Sequence, residues 1–308
     1  MTATTILQPG QIEAGAAAIP ELRLPPPDLF TTRARRLRQL AEGHALGDYL
    51  RFIASLVEAQ QTALMNMPPV SLADPSLLAR CHTHHMPPFA PAGWQRDPVW
   101  RSVAHELAAA LGASANATAR EALARVRDES DAWLESQAER VLTGQREGLD
   151  IACAPVIGAA LQVYWTHLAA SLTPGQVASP EHPNLCPVCG SHPVASVVRI
   201  GGSESGLRYL QCALCSSEWH VVRSKCSNCD NTKDIAYYTV QGDAGVVRAE
   251  TCPECETYLK VVYMEKDPHA EAMADDLASL ALDVLMGEQG YSRSGINLLM
   301  VHGNVSEN

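Results

Sequence analysis

Eight of the ten cysteines lie between residues 186 and 255, in four Cys-x-x-Cys pairs: CPVC (186–189), CALC (212–215), CSNC (226–229) and CPEC (252–255). Thiols at this density serve as metal ligands, as disulfides, as a redox dithiol or as an iron–sulfur cradle. Their spacing bears on the choice. Cys186, Cys189, Cys212 and Cys215 map onto Cys226, Cys229, Cys252 and Cys255 with a constant offset, so that both blocks read C-x2-C-x22-C-x2-C. Gly202/Gly242, Arg208/Arg248 and the pairs Val221-Val222/Val261-Val262 match as well. An internal repeat makes each block one structural unit and couples the first pair with the second and the third with the fourth.

The pattern follows the logic of a zinc ribbon or a rubredoxin. One Cys-x-x-Cys turn presents two thiolates to a metal, and a second turn, delivered by a hairpin, completes a tetrahedral four-sulfur shell. The inserts hold room for two short strands each, with GGSESG (201–206) and QGDAG (241–245) as turns. Units of about 40 residues rarely fold on a core alone, so the metal is expected to support folding. A redox dithiol is disfavoured because no βαβ pattern flanks any pair, and a cubane cluster because its compact spacings do not occur. A closed four-sulfur shell also leaves no open position for hydrolytic chemistry. His182 and His220 are surplus to both tetrads and read as surface residues, and Trp219 and Tyr258 as packing near the knuckles.

The elements that must carry these turns divide the chain. Residues 1–28, with LRLPPPDL, read as an extended, partly mobile arm, and 29–172 as an α-helical domain. Leu46, Leu50, Ile53, Leu56 and Val57 recur at helical steps, and further helices are expected over 97–112, 117–128, 129–143 and 151–172. The Pro-rich stretch 65–94 reads as a long connection, and its Cys81, His82, His84 and His85 as a chance cluster. A Pro-rich linker (173–185) precedes the first four-cysteine module (186–225) and the second (226–266), where strand-like runs appear, such as SVVRI, RYLQC, EWHVV and YLKVVY. Residues 267–308 read as a C-terminal helix and tail. That helix is expected to be capped by Asp267, with Met273, Leu277, Leu280, Ala281 and Val284 on one face and Asp275, Asp276 and Asp283 on a solvated one. The fold class is therefore α+β and multidomain: an all-α N-terminal domain, two tandem rubredoxin-like or zinc-ribbon modules and a C-terminal helix.

Composition narrows the function. With 46% hydrophobic and 19% charged residues the chain has the makeup of a globular protein. A formal net charge of −11 opposes non-specific binding to nucleic acid or anionic membranes. Over 186–266, eight Lys/Arg face nine Asp/Glu, and no basic stripe emerges. The opening MTATTILQPGQIEAGAAAIP has no positive n-region or apolar core, so the cytoplasm is the expected compartment, where disulfides are disfavoured. The longest apolar stretch, IACAPVIGAAL, is too short to span a bilayer, and no membrane insertion is expected. No Ser-His-Asp pattern, phosphate loop or dinucleotide fingerprint appears, and no catalytic residue is assigned. Three classes remain: a nucleic-acid-binding zinc ribbon, a rubredoxin-like electron carrier, and a protein-interaction or chaperone module.

Several stretches resemble the formate dehydrogenase accessory proteins, the FdhE family. The resemblance runs from LRLPPPDLF through RRLRQLAEGHALGDYLRF, and is close over GLRYLQCALCSSEWHVVRSKCSNC, AETCPECETYLKVVYMEKDP, ADDLASLALD and GYSRSGIN. Ala45 and Leu298 stand where members tend to have Pro. The resemblance implies a cytoplasmic, non-enzymatic maturation chaperone needed for active molybdenum- or tungsten-dependent formate dehydrogenase. It would bind the catalytic subunit before folded export by the twin-arginine route. It further implies two mononuclear metal ions of rubredoxin type, iron being favoured and zinc possible, held by Cys186, Cys189, Cys212 and Cys215 and by Cys226, Cys229, Cys252 and Cys255.

Overall fold

A computed structural model describes residues 19–112, 115–179 and 182–300. Seven helices form the N-terminal body: α1 (Leu29–Leu40), α2 (Gly47–Met65), α3 (Pro75–Thr83), α4 (Val99–Leu111), α5 (Ala117–Asp128), α6 (Asp131–Thr143) and α7 (Ala154–Ala170). α7 is apolar on nearly every side, and such a helix is stable only when surrounded. It forms the axis of the body, with α2, α4 and α6 packed around it. Local signals set the boundaries. Asp74, Asn116 and Ser130 accept backbone N–H groups at the starts of α3, α5 and α6, and Gly144 ends α6 in the left-handed conformation. Among the described residues no helix is long and apolar enough to cross a membrane.

The expected mixture of a helical N-terminal region with strand-rich four-cysteine units is what the chain forms. The strands are β1 (Leu22–Arg23), β2 (Pro193–Val198), β3 (Arg208–Cys212), β4 (Glu218–Val221), β5 (Ala236–Tyr238), β6 (Val247–Cys252), β7 (Thr257–Tyr263) and β8 (Ser292–Arg293). They make one sheet in the order β1-β4-β3-β2-β7-β6-β5, with β8 also on β7. The repeat is visible in this order: β4-β3-β2 is followed by its copy β7-β6-β5. The first strand of one ribbon pairs in parallel with the last strand of the other, Ser196 to Val261 through Val198 to Tyr263. Across this junction buried Arg208 makes a bidentate pair with Glu250, both bonds at 2.8 Å. Its repeat partner Arg248 instead lies over the Tyr263 ring.

Two helices, α8 (Ala272–Ala278) and α9 (Leu280–Glu288), close the sheet against the body. Here the structure corrects the reading of a single helix from Asp267. Glu271 is the N-cap and accepts from Ala274 N–H, while Asp267 accepts from Arg36 and from His269 N–H. The chain breaks at Ser279, and it is Leu282 and Met286 that are buried on α9, with Val284 exposed. The solvated acidic face is also overturned. Asp275 and Asp276 are 3% and 0% exposed. Asp275 receives two bonds from Arg36 on α1, at 2.9 and 2.7 Å, and Glu271 one from Arg33. Asp276 faces the other way, to Lys260 on β7 and Arg293 on β8, which also hold Asp283. The carboxylates are buried because buried cations from both layers meet them there.

Other expectations shift as well. Leu22 and Arg23 of the arm pair with Trp219 and Glu218, so this part of 1–28 is a sheet edge; residues 1–18 lie outside the described residues. α3 forms within the 65–94 connection because Asp74 and Pro75 supply a helix start. The 173–185 stretch holds a 3-10 turn at Pro174–Gln176, while residues 180 and 181 lie outside the described residues. The segment after β8 docks on the body, with Leu299 buried and Leu298 laid over Gly158 of α7; residues from 301 lie outside the described residues.

The two neighbouring carboxylates differ in charge economy. Burial works against ionisation of Asp276, but Arg293 and Lys260 outweigh it and hold its carboxyl below the ordinary range. At Asp275 burial outweighs the Arg36 pairing and raises it. Asp276 thus contributes stability present above the unfolded carboxyl value and lost as pH falls through its lowered folded value. Asp276→Asn is expected to cost about 3–5 kcal/mol at neutral pH, the range for breaking a buried ion pair. Asp275→Asn is expected to cost less. Denaturant unfolding of both variants ranks them, and an equal or reversed ranking contradicts this account.

Candidate metal centres

Each Cys-x-x-Cys turn is shaped by its backbone. In the first ribbon Gly190 N–H donates to the Cys186 carbonyl at 2.8 Å, and Cys186 N–H to the Ser191 carbonyl at 3.0 Å. In the second, Asp230 N–H donates to the Cys226 carbonyl and Cys226 N–H to the Asn231 carbonyl. The residue after each pair is left-handed: Gly190 (φ 71°), Ser216 (58°), Asp230 (60°) and Glu256 (52°). A left-handed step costs a non-glycine residue free energy, so its retention at three non-glycine positions marks a geometry the fold enforces. The repeat extends to hydroxyls beside the last sulfur of each set: Ser217 lies 3.2 Å from Cys215 Sγ, and Thr257 lies 3.1 Å from Cys255 Sγ.

The hairpins bring together the two quartets expected from the spacing. Within each, the four sulfur atoms lie within 4.8 Å of one another. Cys186–Cys215 and Cys189–Cys212 are separated by 3.6 and 3.4 Å, and Cys226–Cys255 and Cys229–Cys252 by 3.8 and 3.6 Å. These distances are far from a sulfur–sulfur bond. They match the edge of a tetrahedron with metal–sulfur bonds near 2.3 Å, which is about 3.8 Å. The chemistry of the donors agrees. Burial pushes the Cys186 and Cys212 thiols up, whereas at Cys189 hydrogen bonds from its three sister thiols overcome burial and hold it down. In the second set burial raises Cys226, while at Cys255 bonds led by Thr257 overcome burial and lower it to about 6. Each quartet thus gathers four soft sulfur donors in the kind of cluster that one multivalent cation binds. Both quartets are able to hold a metal ion.

The two quartets differ in setting. Cys186, Cys189, Cys212 and Cys215 are all buried within the main core, which also holds Phe89 and Trp165 of the body. Phe89 N–H donates to the Val188 carbonyl at 3.0 Å, and Trp165 Nε1 to the Phe89 carbonyl at 2.9 Å. The second quartet stands at the sheet margin, with Cys229 exposed and Cys255 half-buried. Its rim carries Asp230, Glu254 and Glu256, and Lys225 reaches Asp230 at 3.6 Å. Trp219 and Tyr258, read as packing, are buried; they donate to the Pro183 carbonyl and to Asp283. His182 is exposed, and His220 is half-buried against Tyr209. Cys81, His82, His84 and His85 belong to no metal-capable group among the described residues. The residues missed by sequence reasoning are the buried Arg33, Arg36 and Lys260 and the half-buried Arg293: the first two join α1 to Glu271 and Asp275, and the others join β7 and β8 to Asp276.

A helical body fused to a duplicated four-cysteine ribbon sheet defines a class of metal-ribbon protein, and comparison with known proteins narrows it to one family. Models of FdhE match in three consecutive parts: the N-terminal part over residues 19–181, the central domain over 185–223 and the C-terminal domain over 224–300. An FdhE homolog of Pseudomonas aeruginosa is 47% identical, over 97% of this chain and 98% of that protein. One from Stutzerimonas stutzeri is 42% identical, over 98% and 99%. The crystal structure of the FdhE protein from Pseudomonas aeruginosa superposes with a TM-score of 0.85 at 45% identity, covering 92% of this chain and all of that one. The chain belongs to the FdhE family.

The contrast in burial predicts an order of reaction with a thiol reagent. In a native sample treated with excess Ellman's reagent, Cys229 and Cys255 react first. Cys186, Cys189, Cys212 and Cys215 react only once denaturant is added. Modification of both quartets at one rate contradicts the geometry.

Proposed function

We propose that this chain is a maturation factor for formate dehydrogenase. It acts in the cytoplasm as a chaperone that binds the catalytic subunit of a molybdenum- or tungsten-dependent enzyme before export, and is not itself an enzyme. The observation that carries this reading is family membership along nearly the whole chain, joined to two closed sulfur quartets. A four-thiolate shell leaves no coordination position for a substrate, which supports a structural use of the centres.

In this reading Cys186, Cys189, Cys212 and Cys215 hold one ion and Cys226, Cys229, Cys252 and Cys255 the other. The donor set suits iron and zinc alike, and the family resemblance favours iron. When bound, either ion supplies a rigid tetrahedral crosslink between two knuckles. The chain's own residues do the rest: the left-handed turns aim the sulfurs, and the buried ion pairs fix the ribbons to the helices as one composite surface. The charge pattern supports a protein partner over a nucleic acid. Of the eight ribbon cations, Arg199, Arg208, Lys225 and Lys260 are committed to acidic partners within the fold.

The test combines binding with metal content. The wild-type chain is expected to retain the dehydrogenase catalytic subunit in a pull-down and to carry two metal ions when purified without oxygen. Cys186→Ser/Cys189→Ser is expected to lose an ion, destabilise the main core and lose the subunit. Cys226→Ser/Cys229→Ser is expected to lose one ion and keep its helical content. A folded, metal-free variant that still restores dehydrogenase activity contradicts the metal-dependent reading, and failure of the wild-type pull-down contradicts the chaperone reading.

A further inference from the structure

Gln162 is fully buried in the middle of α7, on a helix that is otherwise almost wholly apolar. A buried amide costs free energy unless it is bonded, and this one is bonded at both ends. Its oxygen accepts from Gln60 of α2 at 3.1 Å, and Gln60 also donates to the Ala159 carbonyl at 2.9 Å. Its nitrogen donates to the Ala213 carbonyl at 2.8 Å and lies 3.4 Å from the Met273 sulfur of α8. Ala213 sits inside the CALC knuckle. Its carbonyl and the N–H of Leu214 are opposite ends of one trans peptide unit and point in opposite directions. That Leu214 N–H donates to Cys212 Sγ at 3.3 Å. The bond from Gln162 therefore fixes and polarises the peptide whose far end touches a sulfur of the buried quartet.

Among the described residues the second ribbon has no counterpart. Exposed Pro253 and Glu254 stand at the positions equivalent to Ala213 and Leu214, and Cys252 Sγ is met by the side-chain amide of Asn231 at 3.5 Å. We infer that Gln162 is a positioning residue for the buried centre. By holding the Ala213–Leu214 peptide it sets the charge on Cys212 Sγ and couples that centre, and not the exposed one, to the helical body. The inference rests on the metal reading given above. Outer partners that orient ligands in this way typically govern affinity by about 10–100-fold.

Cadmium-113 loaded at two equivalents reports on both sulfur shells. The Cys226→Ser/Cys229→Ser variant, keeping only the buried quartet, assigns the two resonances. Gln162→Met has similar size and no donor. It is expected to shift the resonance of the buried centre, leave the other in place, and lower cadmium affinity at the buried centre roughly 10–100-fold in chelator competition. Two unmoved resonances with unchanged affinity overturn the inference. If Gln162→Met does not fold, Gln60→Met carries the test. It removes the outer bond, and a smaller shift of the same resonance is expected, with no shift overturning the proposal. Failure of the wild-type chain to bind cadmium at all defeats the metal reading itself, an outcome distinct from the loss of Gln162's role.

Discussion

Four sulfur atoms held within 4.8 Å of one another inside the main core are the constraint on which this structure turns. Sulfurs that close, ionised and without a cation repel; protonated, they bury four weak donors for little gain. A multivalent ion resolves both problems. Because the knuckles that carry these sulfurs are bonded to the body through Phe89 and Gln162, their state bears on the interface between helices and sheet. The second quartet obeys the same local rules at the margin, where its failure would cost one ribbon and leave the body standing.

The second level of organisation is electrostatic. α8 carries Glu271, Asp275 and Asp276 into the interior, the first two toward Arg33 and Arg36 on α1 and the third toward Lys260 and Arg293 on the sheet. One short helix thereby fastens two layers that share few local contacts along the sequence. Arg208 and Glu250 play the same part between the ribbons. Such pairs add less to net stability than packed side chains would, but each is unforgiving of the loss of one partner, which fixes the relative placement of the layers. The result is a fixed composite surface shared by the helices and the ribbons.

Much of this was legible in the sequence, and the exceptions share a cause. The quartets followed from the offset between repeats, and the body helices from apolar periodicity. The misreadings concern charged residues buried by tertiary pairing. Asp275 and Asp276 look like a solvated face when α8 is read alone, because their partners lie more than two hundred residues earlier or on another strand. A signal did exist: Arg33 falls at helical spacing between Phe30 and Leu37, on the apolar face of α1, where a solvated arginine has no place. β1 escaped notice because two residues carry no periodicity, and their strand character comes only from the β4 edge they cover. Gln162 was visible as an interruption of an apolar run, but its meaning lies in a carbonyl supplied by a distant knuckle.

In the proposed reading both quartets are closed four-thiolate metal shells. X-ray absorption at the metal edge, on protein purified without oxygen, tests it most directly. Two ions per chain are expected, each with four sulfur neighbours at about 2.3 Å and no lighter ligand. A first shell containing nitrogen or oxygen, or a metal-free chain with its sulfurs joined as disulfides, would contradict it.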